Sequence, residues 1–233
     1  MDLREPVDEL RSGDRPRLVL WPERAATPRS IALLAGSFDP ITVAHVAMAE
    51  AAREVAELVV LVYAVRTLPK EGGAGSPLVP EGERIRTVAA VCASRPATAA
   101  GLCSHGLLAD QVAAAEDRFP GAGVTLVVGS DKLAQLFDPR RPGPRTTADR
   151  DAALAGLFAH ADVRYAVRAG DDVRGALRIA GELGHGDRIR PLPVDPAVAA
   201  VSSRTVREAL RAGRDVWAWV APEARDAVRR ALG

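Results

Sequence analysis

At 233 residues, with 48% hydrophobic and 26% charged side chains, the chain can bury an ordinary globular core in one domain, two at most, which excludes disorder as its default state. Its formal net charge of +1 supplies no global field for nucleic acid or an anionic membrane, and every basic residue except Lys70 and Lys132 is Arg, so any anion binding has to be local. The longest apolar run, Leu58 to Val65, falls far short of the roughly 20 residues of a membrane-spanning helix; with the charged start Met1-Asp-Leu-Arg-Glu, a cytoplasmic protein is expected.

Residues 1–29 are charged and contain prolines, with one short apolar run, Leu18 to Trp21, readable as an added edge strand or a docking arm. Ile31 to Ala35 is an apolar run ending in Gly36, and Val46, Ala47 and Ala51 recur at helical spacing within Ala44 to Glu54, so the order there is strand, tight turn, helix. Leu58 to Ala64 reads as a fully buried strand, and Arg66 to Pro80, with three prolines and three glycines, as a loop before a helix over Glu83 to Ala93. Further on, helices are predicted over Leu107 to Phe119, from Lys132 to Phe137 and over Asp151 to His160, with strands at Val124 to Val128 and Val163 to Val167. A helix over Asp172 to Leu183, a last strand at Arg188 to Leu192 and closing helices at Thr205 to Ala212 and Glu223 to Leu232 complete the pattern. Strands and helices alternating at this spacing predict an α/β fold with a doubly wound parallel sheet. Ligands in such folds sit at the carboxyl ends of strands, which makes the loops Arg66 to Pro80 and Asp138 to Asp149 candidate lids or plain solvated insertions. Cys92 and Cys103 have neither disulfide-framework nor zinc-ligand spacing and read as reduced, buried thiols; His105, His160 and His185 fit no metal spacing.

The most informative stretch is Gly36-Ser37-Phe38-Asp39-Pro40-Ile41-Thr42-Val43-Ala44-His45, which leaves a buried strand and opens a helix. Gly36 and Ser37 are small enough for a phosphate to approach the backbone, Phe38 can anchor the turn, and Pro40 limits its freedom. Thr42 suits the N-cap, placing His45 in the first turn beside free N–H groups and the positive end of the helix dipole. That environment favours an anion, to which His45 can donate a hydrogen bond, although a capped helix with a structural His has the same spacing. No G-x-x-x-x-G-K-[ST] occurs, nor a G-x-G-x-x-G after the first strand, nor a G-x-S-x-G elbow.

This segment resembles the first signature of the nucleotidylyltransferase superfamily, G-x-F-D-P-x-H-x-G-H, with His45 at the last His, Thr42 at the first His and Ala44 at the Gly; Thr at that position is similar to the phosphopantetheine adenylyltransferases. Val201-Ser202-Ser203-Arg204-Thr205-Val206-Arg207 resembles the superfamily's I-S-S-T-x-x-R. Between them, Gly129-Ser130-Asp131-Lys132-Leu133 is similar to G-[AS]-D-x-L, and Val167-Arg168-Ala169-Gly170 to V-x-R-x-G. Leu210 to Gly213 and Val220 to Pro222 are similar to L-x-x-G followed by V-P, which points to nicotinate or nicotinamide mononucleotide adenylyltransferases. The resemblance implies a Rossmann-like nucleotidylyltransferase fold over residues 30–233, with 1–29 as an N-terminal extension.

It also implies a reaction: transfer of AMP from ATP to the phosphate of a pyridine mononucleotide, with release of pyrophosphate, in NAD biosynthesis. The catalytic set is then His45, Thr42, Lys70 and Arg207, with Lys70 in Leu68-Pro69-Lys70 similar to the family's P-P-H-K loop. ATP would be held by Gly36, Ser37, Phe38, His45, Gly129, Asp131, Ser202, Ser203 and Arg207, and the acceptor by Lys70, Arg84 and Arg168. Mg²⁺ is expected to enter with ATP, through phosphates and water rather than a cage of protein carboxylates. The expected partners are ATP and a phosphorylated small molecule, with no nucleic acid or membrane; a homo-oligomer is left open. Pyridine-binding members carry a Trp after G-[AS]-D, whereas no Trp lies between Asp131 and Gly170, leaving Phe137 and Tyr165 as candidate replacements. Two alternatives stay open: the same chemistry on another phosphorylated acceptor such as phosphopantetheine, and a nucleotide-binding paralogue without turnover.

Overall fold

The structure, a computed structural model, describes residues 3–23, 25, 27–66, 76–138 and 146–233. The chain runs α1 (Arg4–Ser12), β1 (Leu18–Leu20), β2 (Ser30–Ala35), α2 (Val43–Ala52), β3 (Leu58–Ala64), α3 (Glu81–Ala93), β4 (Thr98–Cys103), α4 (Leu108–Arg118), β5 (Gly123–Gly129) and α5 (Ser130–Leu136). It continues through α6 (Thr147–His160), β6 (Ala161–Ala166), α7 (Arg174–Glu182), β7 (Ile189–Pro191), α8 (Pro196–Ala199), α9 (Ser203–Arg211) and α10 (Arg225–Leu232). The strands form one seven-stranded sheet in the order β1-β4-β3-β2-β5-β6-β7, all parallel except β1, which pairs antiparallel with β4.

Alternation of side chains across the strands divides the core into two layers. Ala32, Leu34, Val59, Leu61 and Val127 face one layer, with Leu3, Val7 and Leu10 of the N-terminal helix, Ile85 and Val88 of α3, and Val206 of α9. Ile31, Leu33, Val60, Leu126 and Val128 face the other, with Val112 of α4, Leu133 of α5, Phe158 of α6 and Ala180 of α7. Because the central strands are buried on both faces, they read as continuous aliphatic runs, as expected for a parallel sheet. The doubly wound architecture predicted from the sequence is the one observed.

The described residues before β2 join the same sheet and core: Leu18–Leu20, within the Leu18 to Trp21 run, supplies the edge strand, with Leu18 opposite Cys103 and Leu20 opposite Gly101. Helix α1 and strand β4 were not among the predicted elements. Helix α6 begins at Thr147, four residues before the predicted start, because Thr146 caps it and Asp149 bonds back to the Thr146 N–H. Cys92 and Cys103 are both buried thiols outside any disulfide. Among the described residues, no helix is long and apolar enough to cross a membrane.

The connectivity fixes where a ligand can sit. From β2 the chain winds outward through β3 to β4, then returns to place β5 on the other side of β2. Strands β2 and β5 are therefore parallel neighbours whose following helices diverge, and the crevice at their carboxyl ends is the topological switch point of the sheet.

Candidate active site

Helix α2 follows β2 through the Gly36 to Thr42 loop, and α5 follows β5 directly at Gly129, so the N-termini of both helices open at the switch point. Phe38 is fully buried at φ 46°, in the left-handed region, and its ring fills the space beside Gly36. A Cβ on Gly36 would lie 2.7 Å from the Phe38 ring, so packing by itself requires a glycine here. The same ring meets the imidazole of His45 edge-on at 5.2 Å between centroids. Phe38 thus offers no exposed side chain to a nucleotide; it braces His45.

Thr42 is the N-cap of α2, and its backbone N–H donates to Nδ1 of His45 at 3.1 Å. With Nδ1 accepting, the ring proton of a neutral imidazole is on Nε2. Burial lowers the His45 pKa to about 4, helped by the Arg168 charge and opposed by Asp131, so the ring is neutral near pH 7 and is a donor through Nε2–H. The Thr42 side chain is fully buried, and its hydroxyl bridges two groups, 2.9 Å from the carbonyl of Val201 and 2.8 Å from Nδ1 of His45. The hydroxyl thus ties the second signature to the first and touches His45 as it does so.

That second signature closes on the loop at several points. Ser202 caps α9 by accepting from Thr205 N–H at 3.0 Å. Ser203 Oγ donates to the Pro40 carbonyl at 2.8 Å, and Arg207 Nη1 donates to the Asp39 carbonyl at 2.5 Å while lying 3.5 Å from Asp39 Oδ2. Both serine hydroxyls thus serve the scaffold. The C-terminal segment adds a bridge between Thr42 and Val220, with Val43 N–H bonded to Trp219 O at 3.0 Å.

Across the crevice, Asp131 in the first turn of α5 pairs with Arg168 at 2.9 Å, and this pair passes over Gly129. A Cβ on Gly129 would stand 2.8 Å from Asp131 Oδ1 and 3.1 Å from Arg168 Nη2, which explains the glycine. Arg168 N–H donates to Ser130 Oγ at 3.0 Å, and Ser130 donates to Asp171 at 2.7 Å, fixing the turn after β6 to the start of α5. Arg168 Nε is buried without a hydrogen-bond partner.

Arg84 on α3 is 8% exposed and donates to Ser37 O at 3.2 Å, with its guanidinium 5.1 Å over the Tyr63 ring. Its Nε is also buried without a partner, and it forms no ion pair among the described residues. Burial raises the Tyr63 pKa to about 12, so its hydroxyl stays protonated and donates to Glu81 at 3.2 Å. Arg84 is therefore a buried cation beside the Gly36–Ser37 turn, facing the site with unused donor capacity.

The structure brings His45, Thr42, Arg207, Gly36, Ser37, Phe38, Ser202, Ser203 and Arg84 around one loop, and sets Asp131 and Arg168, the pair over Gly129, near enough for their charges to act on His45. Lys70 lies outside the described residues. Phe137 and Tyr165 are 2% and 7% exposed in the core, so neither can stack on a ligand ring as expected from the sequence. Sequence reasoning missed a role for Asp39, which is buried in the centre of this network; a carboxylate between two turn-forming residues was the available signal. Among the described residues, no group of three or more His, Cys, Asp or Glu could hold a metal ion.

The doubly wound sheet that holds His45 and Arg207 on one loop at its switch point has the Rossmann-like fold of a nucleotidyltransferase. More closely, the chain belongs to the cytidylyltransferase-like family, whose model matches residues 33–209. In fold it is similar to Plasmodium falciparum nicotinic acid mononucleotide adenylyltransferase complexed with NaAD, with a TM-score of 0.59 and 15% identity over 87% of this chain and 95% of that one. At that identity the likeness is one of fold. No curated protein matches the chain.

Proposed function

We propose that this nucleotidyltransferase moves AMP from MgATP to the phosphate of a pyridine mononucleotide, nicotinate or nicotinamide mononucleotide, and releases pyrophosphate in the cytoplasm as a step of NAD biosynthesis. The observation that carries the reading is His45: a neutral imidazole in the first turn of α2, at the switch point, with its Nδ1 tied to Thr42 and its Nε2–H free to donate. An oxygen of the acceptor phosphate attacks the α-phosphorus, the bond from that phosphorus to the β-phosphate oxygen breaks, and pyrophosphate leaves with the electron pair. Neither a covalent enzyme intermediate nor a general base is required, so alignment and charge stabilisation account for the catalysis.

In this reading His45 donates to the α-phosphate, and Arg207 with the first N–H groups of α9 neutralises the β- and γ-phosphates. Mg²⁺ arrives bound to the phosphates. Arg84, a buried cation with no carboxylate partner among the described residues, receives the acceptor phosphate near Ser37, with Lys70 assigned the same task. The Arg168–Asp131 pair borders the crevice and sets its polarity.

A second reading, the same chemistry on another phosphorylated acceptor, is favoured by the burial of Phe137 and Tyr165 and by the absence of Trp between Asp131 and Gly170. Pyrophosphate release from MgATP, with nicotinate mononucleotide, nicotinamide mononucleotide and phosphopantetheine supplied separately, tests both. Release with a pyridine mononucleotide is expected. Release only with phosphopantetheine moves the assignment to the second reading, and silence with all three, ATP still binding, points to a paralogue without turnover.

A further inference from the structure

Asp39 stands between the two halves of the candidate site. It is 6% exposed, and its carboxylate accepts from the N–H groups of Val79 at 2.8 Å and Leu78 at 3.1 Å, the residues that lead through Pro80 into α3. On its other side lies Arg207, 3.5 Å from Oδ2 and bonded at 2.5 Å to the Asp39 carbonyl. Arg84, further along α3, returns to the same loop by donating to Ser37 O at 3.2 Å. The loop is thus held by α9 on the nucleotide side and by the lead-in to α3 on the acceptor side, and the Asp39 carboxylate is the charged group common to both.

We propose that Asp39 is a positioning residue that couples nucleotide binding at Arg207 to the order of the acceptor side at Leu78, Val79 and Arg84. The inference rests on the assignment of Arg207 to the triphosphate made above. In the free protein, the Asp39 carboxylate divides its charge between Arg207 and two backbone N–H groups. A triphosphate engages Arg207, so the carboxylate acts more fully on Leu78 and Val79, whose charge-assisted hydrogen bonds then shorten and strengthen. The start of α3, and with it Arg84, is held more firmly once the nucleotide is in place. By linkage, an acceptor bound at Arg84 raises nucleotide affinity by the same factor.

The test is amide hydrogen exchange at Leu78 and Val79 in the full chain, with and without saturating Mg-α,β-methylene-ATP, which cannot be cleaved between the α- and β-phosphates. Exchange at both amides is expected to slow by about fivefold or more on binding, the lower range of typical couplings. In Arg207→Gln they should exchange slowly from the start and respond little to the analogue; in Asp39→Asn, with one carbonyl oxygen for two N–H groups, the response should vanish. A purely structural Asp39 would leave the wild-type amides indifferent to bound analogue, and that result overturns the proposal without need of either variant. Failure of the analogue to bind at all overturns the nucleotide assignment and the coupling with it. The affinity for nicotinate mononucleotide, read alongside, should rise with the analogue present; if that ligand never binds while the amides respond, the acceptor assignment fails and the coupling stands.

Discussion

The Thr42 backbone N–H donates to Nδ1 of His45 across 3.1 Å, so the residue that caps α2 also sets the tautomer of the histidine that faces the crevice. The ring is held at Nδ1 by the Thr42 N–H and hydroxyl and meets the Phe38 ring in a T-shaped contact at 5.2 Å between centroids, which leaves Nε2 to act.

Replacement of His45 by Ala is expected to lower kcat by about 10² or more with the fold intact, the usual cost of one preorganised transition-state donor. Because its pKa is lowered to about 4, activity should show no limb near 6.5 from this group, and an NMR titration of the ring should have its midpoint near 4. The sign for stability follows: the unfolded chain binds the extra proton between about 6.5 and 4, so stability falls as pH drops through that window and the loss is complete below it. A ring titrating at 6.5 in the folded protein would remove the neutral-donor role.

Thr42→Val keeps the backbone N–H to His45 but removes the hydroxyl that bridges Val201 O and His45 Nδ1. Stability should fall by about 1–2 kcal/mol, from a carbonyl left unpaired, while kcat stays within a few fold. Thermal unfolding and steady-state rates measured on the same preparation separate the two; a large loss of kcat at normal stability would place the hydroxyl on the substrate.

Arg207→Ala should weaken MgATP binding by about tenfold or more, the scale of a hydrogen bond to a charged group, and the acceptor KM by much less. Titration calorimetry with the nucleotide, set beside acceptor KM, is the check. Equal losses on both sides would contradict the placement of the triphosphate.

For Arg84→Met the two readouts should move apart. Removal of a buried cation with an unpartnered Nε leaves the free protein as stable or more so, whereas the acceptor KM should rise by about tenfold or more. A drop in melting temperature with unchanged KM would make Arg84 a scaffold residue.

Deletion of residues 1–29 removes the edge strand opposite β4 and the apolar Leu3, Val7 and Leu10. The truncated chain should unfold at lower urea concentration or precipitate through its bared sheet edge. An unchanged urea midpoint would mean that the segment adds nothing to the core it lines.

Several elements were legible because local chemistry and final environment agree. Strands β2, β3 and β5 are buried on both faces, so each is a short aliphatic run bounded by turn residues, and no tertiary information is required to see it. Strand β4 was illegible for the converse reason: Thr98-Ala-Ala-Gly-Leu-Cys103 is built from small residues of weak strand preference, and it is extended because β1 and β3 pair with it on either side. Helix α1 was overlooked although Leu3, Val7 and Leu10 recur at helical spacing, because charge and proline masked a pattern only two turns long.

The candidate site divides in the same way. Residue types and spacing were enough to set His45 at a helix start after a buried strand and Arg207 on a helix capped by Ser202, since caps and first turns are decided within a few residues of chain. What Thr42, Phe38, Ser203 and Asp39 do was decided only when α9, the lead-in to α3 and the residues around Val220 closed on the Gly36 to Thr42 loop. Those partners lie about 40 to 180 positions away in sequence, and a buried polar group must find its hydrogen-bond partner wherever the packed fold brings one. Local sequence therefore determined which groups the site contains, and long-range packing determined which of them remain free to meet a ligand.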